Sequence, residues 1–424
     1  MSNPPPEREG RLRLGPGFLV TAAFIGPGTV TAASSAGYQF GLELLWIIPL
    51  ATLAAILLQE MAGRIGLVTD RPLGAALRLA LPGQKSRTAF SALIFVAILF
   101  GNTAYQGGNL LGAVKGLDIL SGGRVQNTLP VSLLILTTFA IIAGFLLVTG
   151  SPKRVTRFLV SLVIIMSLLF LGIAFTVVPP LSEVSRGFAP RIPANGFSTT
   201  LALFGTTIVP YNLFLYASLV RSKWSGAVAA SQAIRESRID IVLAVGLGGL
   251  VTASIMITGA AASSQHEFAL DRLPVQLGHL LSPDVARLIL GLGLVGAGLS
   301  SAITAPLAAC YAAAGIFDWP TELKARQNRW VFGTVLIAGW AIGAIGILWQ
   351  VRPEWAIIIA QAANGMILPV LALLLWWVAS KRSILGDFVT GRFANIASFL
   401  VVATLSVIWL INLVGRLWSR FGGG

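Results

Sequence analysis

Charge is what this sequence has least of. Asp, Glu, Lys and Arg make up 11% of its 424 residues, where a soluble domain carries about 25%, so the chain cannot cover itself with a water-compatible surface. It holds one cysteine, Cys310, and two histidines, His266 and His279. A single cysteine excludes a disulfide within the chain and any metal site built on thiolates. Cys310 lies in an apolar stretch and reads as a small packing residue. The histidines are widely spaced in the segment 263–285 and read as solvated loop residues. No nucleotide-binding loop or soluble catalytic domain is present, so neither an enzyme, a cofactor nor direct energisation by ATP is expected. The N-terminus is polar and Pro-rich, without the pattern of a cleavable signal peptide.

What is there is hydrophobic: 55% of the residues, with a mean hydropathy of +0.83, 46 Gly and 11 Trp. Apolar runs near the roughly 20 residues a helix needs to cross the hydrocarbon core recur from Phe18 to Val414. They predict about eleven spans, near 15–38, 42–65, 88–112, 129–149, 157–178, 198–220, 239–262, 286–314, 331–350, 354–379 and 395–415. The net charge of +14 is a topology signal rather than a nucleic-acid surface, because 21 of the 30 Lys and Arg fall in the tail and loops on one side. The excess of basic residues in cytoplasmic loops then puts the N-terminus inside and the C-terminus outside. The expectation is an all-α integral protein of a bacterial-type plasma membrane, partnered by the lipid bilayer and by no nucleic acid or nucleotide.

Two spans carry helix breakers in their middle. The first reads Phe24-Ile25-Gly26-Pro27-Gly28-Thr29, the sixth Thr206-Thr207-Ile208-Val209-Pro210-Tyr211-Asn212. Proline lacks an amide donor and glycine tolerates non-helical angles. Lipid cannot satisfy the backbone groups set free, so such breaks persist facing protein or a cavity. Either one alone reads as a proline kink. A pair at matching places in two five-helix halves points to a transporter site near the midplane. The chain then divides into a cytoplasmic tail (1–14), two inverted repeats (15–180 and 181–380), and an extra helix with the C-terminal tail (381–424).

At these residues the chain resembles the NRAMP family of divalent-metal transporters, over nearly its whole length. Gly15-Pro16-Gly17-Phe18 and Gly26-Pro27-Gly28 are similar to the family's opening, where the broken helix carries Asp-Pro-Gly-Asn. Val209-Pro210-Tyr211-Asn212-Leu213 stands where the family has Met-Pro-His-Asn-Leu. Thr304-Ala305-Pro306 and Gln361 match the eighth and tenth helices. The resemblance implies a LeuT-like fold, two inverted five-helix repeats plus one helix, working by alternating access.

The departures from the family bear on substrate. Its first-helix Asp and Asn are here Gly26 and Thr29, and the sixth-helix Met, a soft ligand for transition metals, is Val209. The two sixth-helix His are Tyr211 and Tyr216, and the third-helix acids are Asn102 and Tyr105. Of the matched side-chain ligands only Gln361 persists. Asn102, Gln106 and Asn109, four and three apart, share a helical face and read as the wall of a polar cavity or as glue between helices. A dehydrated divalent cation needs carboxylates or several strong oxygen ligands. An anion is served instead by the half-helix N-termini and by the donors Thr29, Thr207, Tyr211 and Asn102. Exchanging an Asp for Gly26 shifts the local field by roughly 4 kcal/mol at an effective dielectric near 20. The expected substrate is therefore a small inorganic anion, bicarbonate foremost, at Gly26, Pro27, Gly28, Thr29, Asn102, Tyr105, Gln106, Thr206, Thr207, Val209, Tyr211, Asn212 and Gln361, with no metal site. The alternatives are a partly hydrated divalent cation of the Mg²⁺ or Mn²⁺ type, proton-coupled or not, and a non-transporting receptor or scaffold. Na⁺ is the expected coupling ion, at first-helix carbonyls with Ser300 and Ser301. Glu60 either pairs with Arg64 along its helix or titrates in a coupling path.

Overall fold

The computed structural model describes residues 15–149, 153–177, 179–263, 267–278, 282–320, 322 and 324–421. Its chain starts with α1 (Pro16–Phe24), α2 (Pro27–Phe40), α3 (Ile47–Thr69), α4 (Leu73–Ala80), α5 (Gly83–Leu120), α6 (Leu129–Thr149), α7 (Lys153–Val177) and α8 (Leu181–Gly187). Then come α9 (Phe197–Thr207), α10 (Pro210–Trp224), α11 (Ala230–Ala261), α12 (Leu273–Gln276), α13 (Pro283–Phe317), α14 (Arg326–Leu348), α15 (Pro353–Ala379), α16 (Arg382–Leu385) and α17 (Arg392–Phe421). Helix is the outcome expected where lipid offers the backbone no partner, and the described residues contain no strand.

Eight helices among the described residues are long and apolar enough to cross a bilayer, or nine with the bent pair α1–α2 taken as one span. The stretches expected at 157–178 and 395–415 appear as α7 and α17, whose apolar described runs are the shorter Val163–Val177 and Ala394–Thr404. The protein is thus an all-helical membrane protein with a broken first span. Its outer wall is apolar: Phe100, Leu134, Ile141 and Phe175 all face outward. Trp330 and Trp349, exposed at the two ends of α14, suit the aromatic belts at the membrane surfaces.

The centre belongs to α9–α10, whose apolar window is 94% buried. Small residues let the surrounding helices close on it. A Cβ on Gly205 of α9 would lie 1.9 Å from the Gln361 carbonyl of α15, and one on Gly365 would lie 2.8 Å from the Leu201 carbonyl. These two helices touch backbone to backbone, so the tenth predicted span lies directly against the sixth.

The two interruptions differ. At the first, Ile25 and Gly26 leave the helical path, Pro27 opens α2, and the axis turns by 56°. At the second, helical pairing lapses over Ile208 and Val209 before Pro210 opens α10, yet Phe197–Trp224 still reads as one 28-residue span.

Candidate functional site

A helix that stops inside a membrane leaves carbonyls without partners, and side chains meet that need here. The Ala23 carbonyl, at the end of α1, accepts from the Tyr105 hydroxyl at 3.3 Å and from the Ser301 hydroxyl at 3.2 Å. The Phe24 carbonyl accepts from Gly26 N at 2.8 Å and from the Thr29 hydroxyl. Since that uses the only Thr29 proton, Thr206 is the donor in the 2.7 Å Thr29–Thr206 contact, which ties the first break to the second. All these side chains are buried.

The neighbouring positions follow from close approach. A Cβ on Gly26 would stand 2.9 Å from the Ser301 hydroxyl and 3.7 Å from that of Tyr105. One on Gly28 would stand 2.2 Å from Gln361 Nε2, so the absence of a side chain there makes room for the amide. Pro27 packs against Gly112 of α5. Tyr105 meets Tyr211 edge to face, with ring centroids 5.5 Å apart. Elements distant in sequence, α1–α2, α5, α9–α10, α13 and α15, thus converge on Gly26–Thr29.

Other expected site residues turn elsewhere. Thr207 donates back to the Leu203 carbonyl at 2.9 Å and Asn102 to the Ile98 carbonyl at 3.1 Å, each within its own helix. Gln106 donates to the Ala302 carbonyl at 3.2 Å and packs on Gly339, between α13 and α14. Val209 and Asn212 are buried at the second break, where Asn212 N donates to the Val209 carbonyl at 3.0 Å. Ser300 donates to the Ala297 carbonyl at 3.1 Å and faces a small apolar crevice with Leu19 and Ile303, diverging from Ser301. Glu60 pairs with Arg64 at 3.1 Å and Arg238 at 2.7 Å. Arg64 is further held by the Phe388 carbonyl and the Thr390 hydroxyl. His266 and His279 lie outside the described residues. Among the described residues no group of three His, Cys, Asp or Glu is placed to hold a metal ion.

Three features escaped the reading of the sequence. Asp240, 1% exposed, accepts from Gly15 N at 2.8 Å and Gly17 N at 2.6 Å, and so anchors the start of α1 on α11. A carboxylate suits a helix N-terminus; the available signal was a lone acid at the start of an apolar run. Asn364 is a buried amide three residues past Gln361, which the spacing alone marks as the same helix face. Finally, Lys115 lies among Asp118 at 3.6 Å, Asp271 at 3.1 Å, Glu354 at 3.6 Å and Gln126 Oε1 at 3.0 Å. Helical spacing pairs Lys115 with Asp118, but nothing in the sequence brings Asp271, from the loop before α12, and Glu354 of α15 to them.

Residues 17–415 match the family described as natural resistance-associated macrophage protein-like. The chain belongs to the Nramp family. Its members are transporters, and this chain is accordingly a membrane-embedded transporter of a small inorganic ion rather than an enzyme. Among similar Nramp proteins, the divalent metal cation transporter MntH of Xylella fastidiosa is 28% identical over 411 residues, covering 93% of this chain and 83% of the relative. The protein of that name from Bacillus subtilis is 25% identical over 413 residues, covering 94% and 92%. Among solved structures, the Eremococcus coleocola manganese transporter in complex with an aromatic bis-isothiourea compound superposes with a TM-score of 0.73. It is 21% identical, covering 97% of this chain and 87% of that one. MhsT in complex with L-phenylalanine gives a TM-score of 0.59 at 16% identity, covering 96% and 99%. These likenesses establish the LeuT-type fold.

The expected anion, bicarbonate foremost, is overturned by these relatives, which are named as carriers of divalent metal cations. Of the donors assigned to an anion, Thr29 and Thr207 are spent on backbone carbonyls, and Asn102 gives one of its two amide hydrogens to the Ile98 carbonyl. What stays buried without a hydrogen-bond partner among the described residues is of both kinds: Asn102 Oδ1, Gln106 Oε1, both amide atoms of Gln361, and the Tyr211 hydroxyl, which can donate or accept.

Proposed function

We propose that this Nramp protein is a secondary transporter of a divalent metal cation of the Mg²⁺ or Mn²⁺ type, taken up partly hydrated at the first break. The observation that carries the reading is the group of buried oxygens without a hydrogen-bond partner among the described residues, on Asn102, Gln106, Gln361 and Tyr211, which a cation or its bound water can use. Its relatives named divalent metal cation transporters support it over more than nine-tenths of the chain. Hard cations prefer oxygen ligands, and Mg²⁺ sheds its water reluctantly. Neutral oxygens suffice when water stays on the ion, whereas a bare dication in a site without carboxylates would be poorly compensated. Val209 supplies no thioether, so selection for softer metals is not expected.

In this reading, the eleven-span architecture of two inverted repeats (15–180 and 181–380) carries the site at its centre, with the N-terminus cytoplasmic and the C-terminus outside. Na⁺ fits as coupling ion at the Ala23 carbonyl and Ser301, without Ser300. Glu60 acts as the centre of an ion-pair network rather than as a proton station. The test is flux into proteoliposomes loaded with a fluorescent indicator. Saturable Mg²⁺ or Mn²⁺ entry, absent from empty liposomes, is expected, and a sodium gradient should accelerate it. A protein that moves neither cation would overturn the reading.

A further inference from the structure

Gln361 is not alone on its helix face. Asn364, fully buried like Gln361, follows three residues later, so the two amides share one side of α15 about 4.5 Å apart along its axis. It lies beside the Tyr211 hydroxyl without a hydrogen bond of regular geometry. Both amide atoms of Gln361, both of Asn364 and the Tyr211 oxygen are buried and have no regular hydrogen bond among the described residues. Tyr211 meets Tyr105, which in turn donates to the Ala23 carbonyl at the break. Asn364 therefore extends the polar wall of Gly26–Thr29 away from α2, towards α10.

Orphaned polar atoms at this density are rare in a native interior, and each is costly. They persist where an ion, a ligand or ordered water supplies the partner. α15 has ample small and apolar residues around them, from Ala360 and Ala362 to Leu368, so an apolar lining was open to this sequence.

We propose that Asn364, with Tyr211, determines specificity by accepting hydrogen bonds from the water shell of the transported cation. The inference rests on the cation reading above. Water bound to a dication is a strong donor, and its acceptors need no charge of their own. Mg²⁺ usually keeps several waters when it binds, so acceptors one water removed from the ion favour it over cations that bind with fewer waters. Gln361 and Asn364, one helical turn apart, serve adjacent waters of one shell, and the Tyr211 oxygen serves a third.

The experiment compares uptake of Mg²⁺ and Mn²⁺ by wild type, Asn364→Leu, Asn364→Asp and Tyr211→Phe in proteoliposomes, with thermal stability measured in detergent. Asn364→Leu keeps the volume and removes the acceptor. Its KM for Mg²⁺ should rise about tenfold or more, the scale of one charge-assisted hydrogen bond, with a smaller rise for Mn²⁺. Asn364→Asp retains an acceptor and should hold the KM for Mg²⁺ at or below the wild-type value. Tyr211→Phe should raise it in the same direction as Asn364→Leu, and carries the test if the leucine variant does not fold. Stability should be unchanged or higher in Asn364→Leu, because a buried unsatisfied amide is gone. An unchanged KM, or an equal rise for both cations together with lowered stability, would show Asn364 to be structural. Wild-type protein that moves neither cation brings down the cation reading and this inference together. Wild-type uptake that the variants leave unaltered brings down the inference alone.

Discussion

Two buried polar regions of this protein are built on opposite terms. Around Lys115 the groups are charged and all engaged. Its ammonium meets Asp118, Asp271 and Glu354, Glu354 also accepts from Leu270 N at 3.2 Å, and Asp118 accepts from Gln126 N at 3.0 Å. Around the helix breaks the groups are neutral, and the polar atoms of several, Gln361, Asn364 and Tyr211, have no regular hydrogen bond among the described residues. A buried charge left alone is far more costly than a buried amide, so a lasting structural tie must be fully paired. A site that receives and releases an ion must keep polar atoms in reserve, and neutral ones are the least costly to leave waiting. The charged cluster fastens α5, α15 and the loop before α12 to one another, while the neutral one is where the proposed cation site lies.

Breaking the charged region should have the largest effect. Lys115→Met strands the carboxylates of Asp118 and Glu354, and removing one partner of a buried pair typically costs about 3–5 kcal/mol. The melting temperature in detergent should fall accordingly, and adding Glu354→Gln should restore part of the loss. A stable Lys115→Met protein would mean the cluster holds nothing together.

Putting a charge into the neutral region comes next. Gly26 has ordinary extended angles, φ −110° and ψ −173°, and the nearest obstacle to a side chain is the movable Ser301 hydroxyl. A carboxylate about 4 Å from a positive charge is worth roughly 4 kcal/mol per unit of that charge at an effective dielectric near 20. Gly26→Asp should therefore tighten Mn²⁺ binding at least about tenfold in calorimetric titration at neutral pH, with Gly26→Asn as the control for bulk. Weaker binding in the Asp variant than in the Asn variant would contradict a cation site.

Gln361→Leu should separate stability from transport. Removing an unsatisfied amide in favour of an apolar group is neutral or stabilising by about 1 kcal/mol, while cation uptake should fall at least about tenfold. Loss of stability with retained uptake would reverse the assignment of the two regions. Thr29→Val removes one bond to the Phe24 carbonyl and one to Thr206, and should cost about 1–2 kcal/mol by denaturation in detergent. The smallest effect belongs to Glu60→Gln, which keeps hydrogen-bonding capacity towards Arg64 and Arg238. Arg64 is buried but keeps its bonds to the Phe388 carbonyl and the Thr390 hydroxyl, and Arg238 is more than half exposed, so a change of about 1 kcal/mol is expected, with the pH profile of uptake unaltered. A profile that shifts would return Glu60 to the coupling path.

Much of the architecture was legible because the constraint is local. A chain with 11% charged residues has to fold in lipid, and lipid demands helices. Pro27 and Pro210 mark both interruptions, and Pro has one backbone consequence wherever it falls. The depth of the breaks was not legible: the same Pro signal accompanies a 56° turn at Gly26 and a span that runs on at Val209. Gly26, Thr29, Thr206 and Gln361 stand together in the structure, and breaks and family motifs fall on all four. Gln106 was grouped with Asn102 and Asn109 by helical spacing, and Ser300 with Ser301 as a hydroxyl pair, yet neither signal says which neighbour a side chain meets, and they turn to Ala302 and to an apolar crevice.

The sequence by itself determined that this is an all-helical membrane protein with interrupted spans, since hydropathy and proline act within a few residues of where they stand. Only the tertiary structure decided which polar groups are spent and which are kept. Asp240 capping α1, Lys115 gathering acids from α15 and the loop before α12, and Thr29 giving its proton to Phe24 are decided by helix packing. A hydroxyl or amide is donor and acceptor alike until its neighbour takes one of the two roles, and the packed helices alone make that choice.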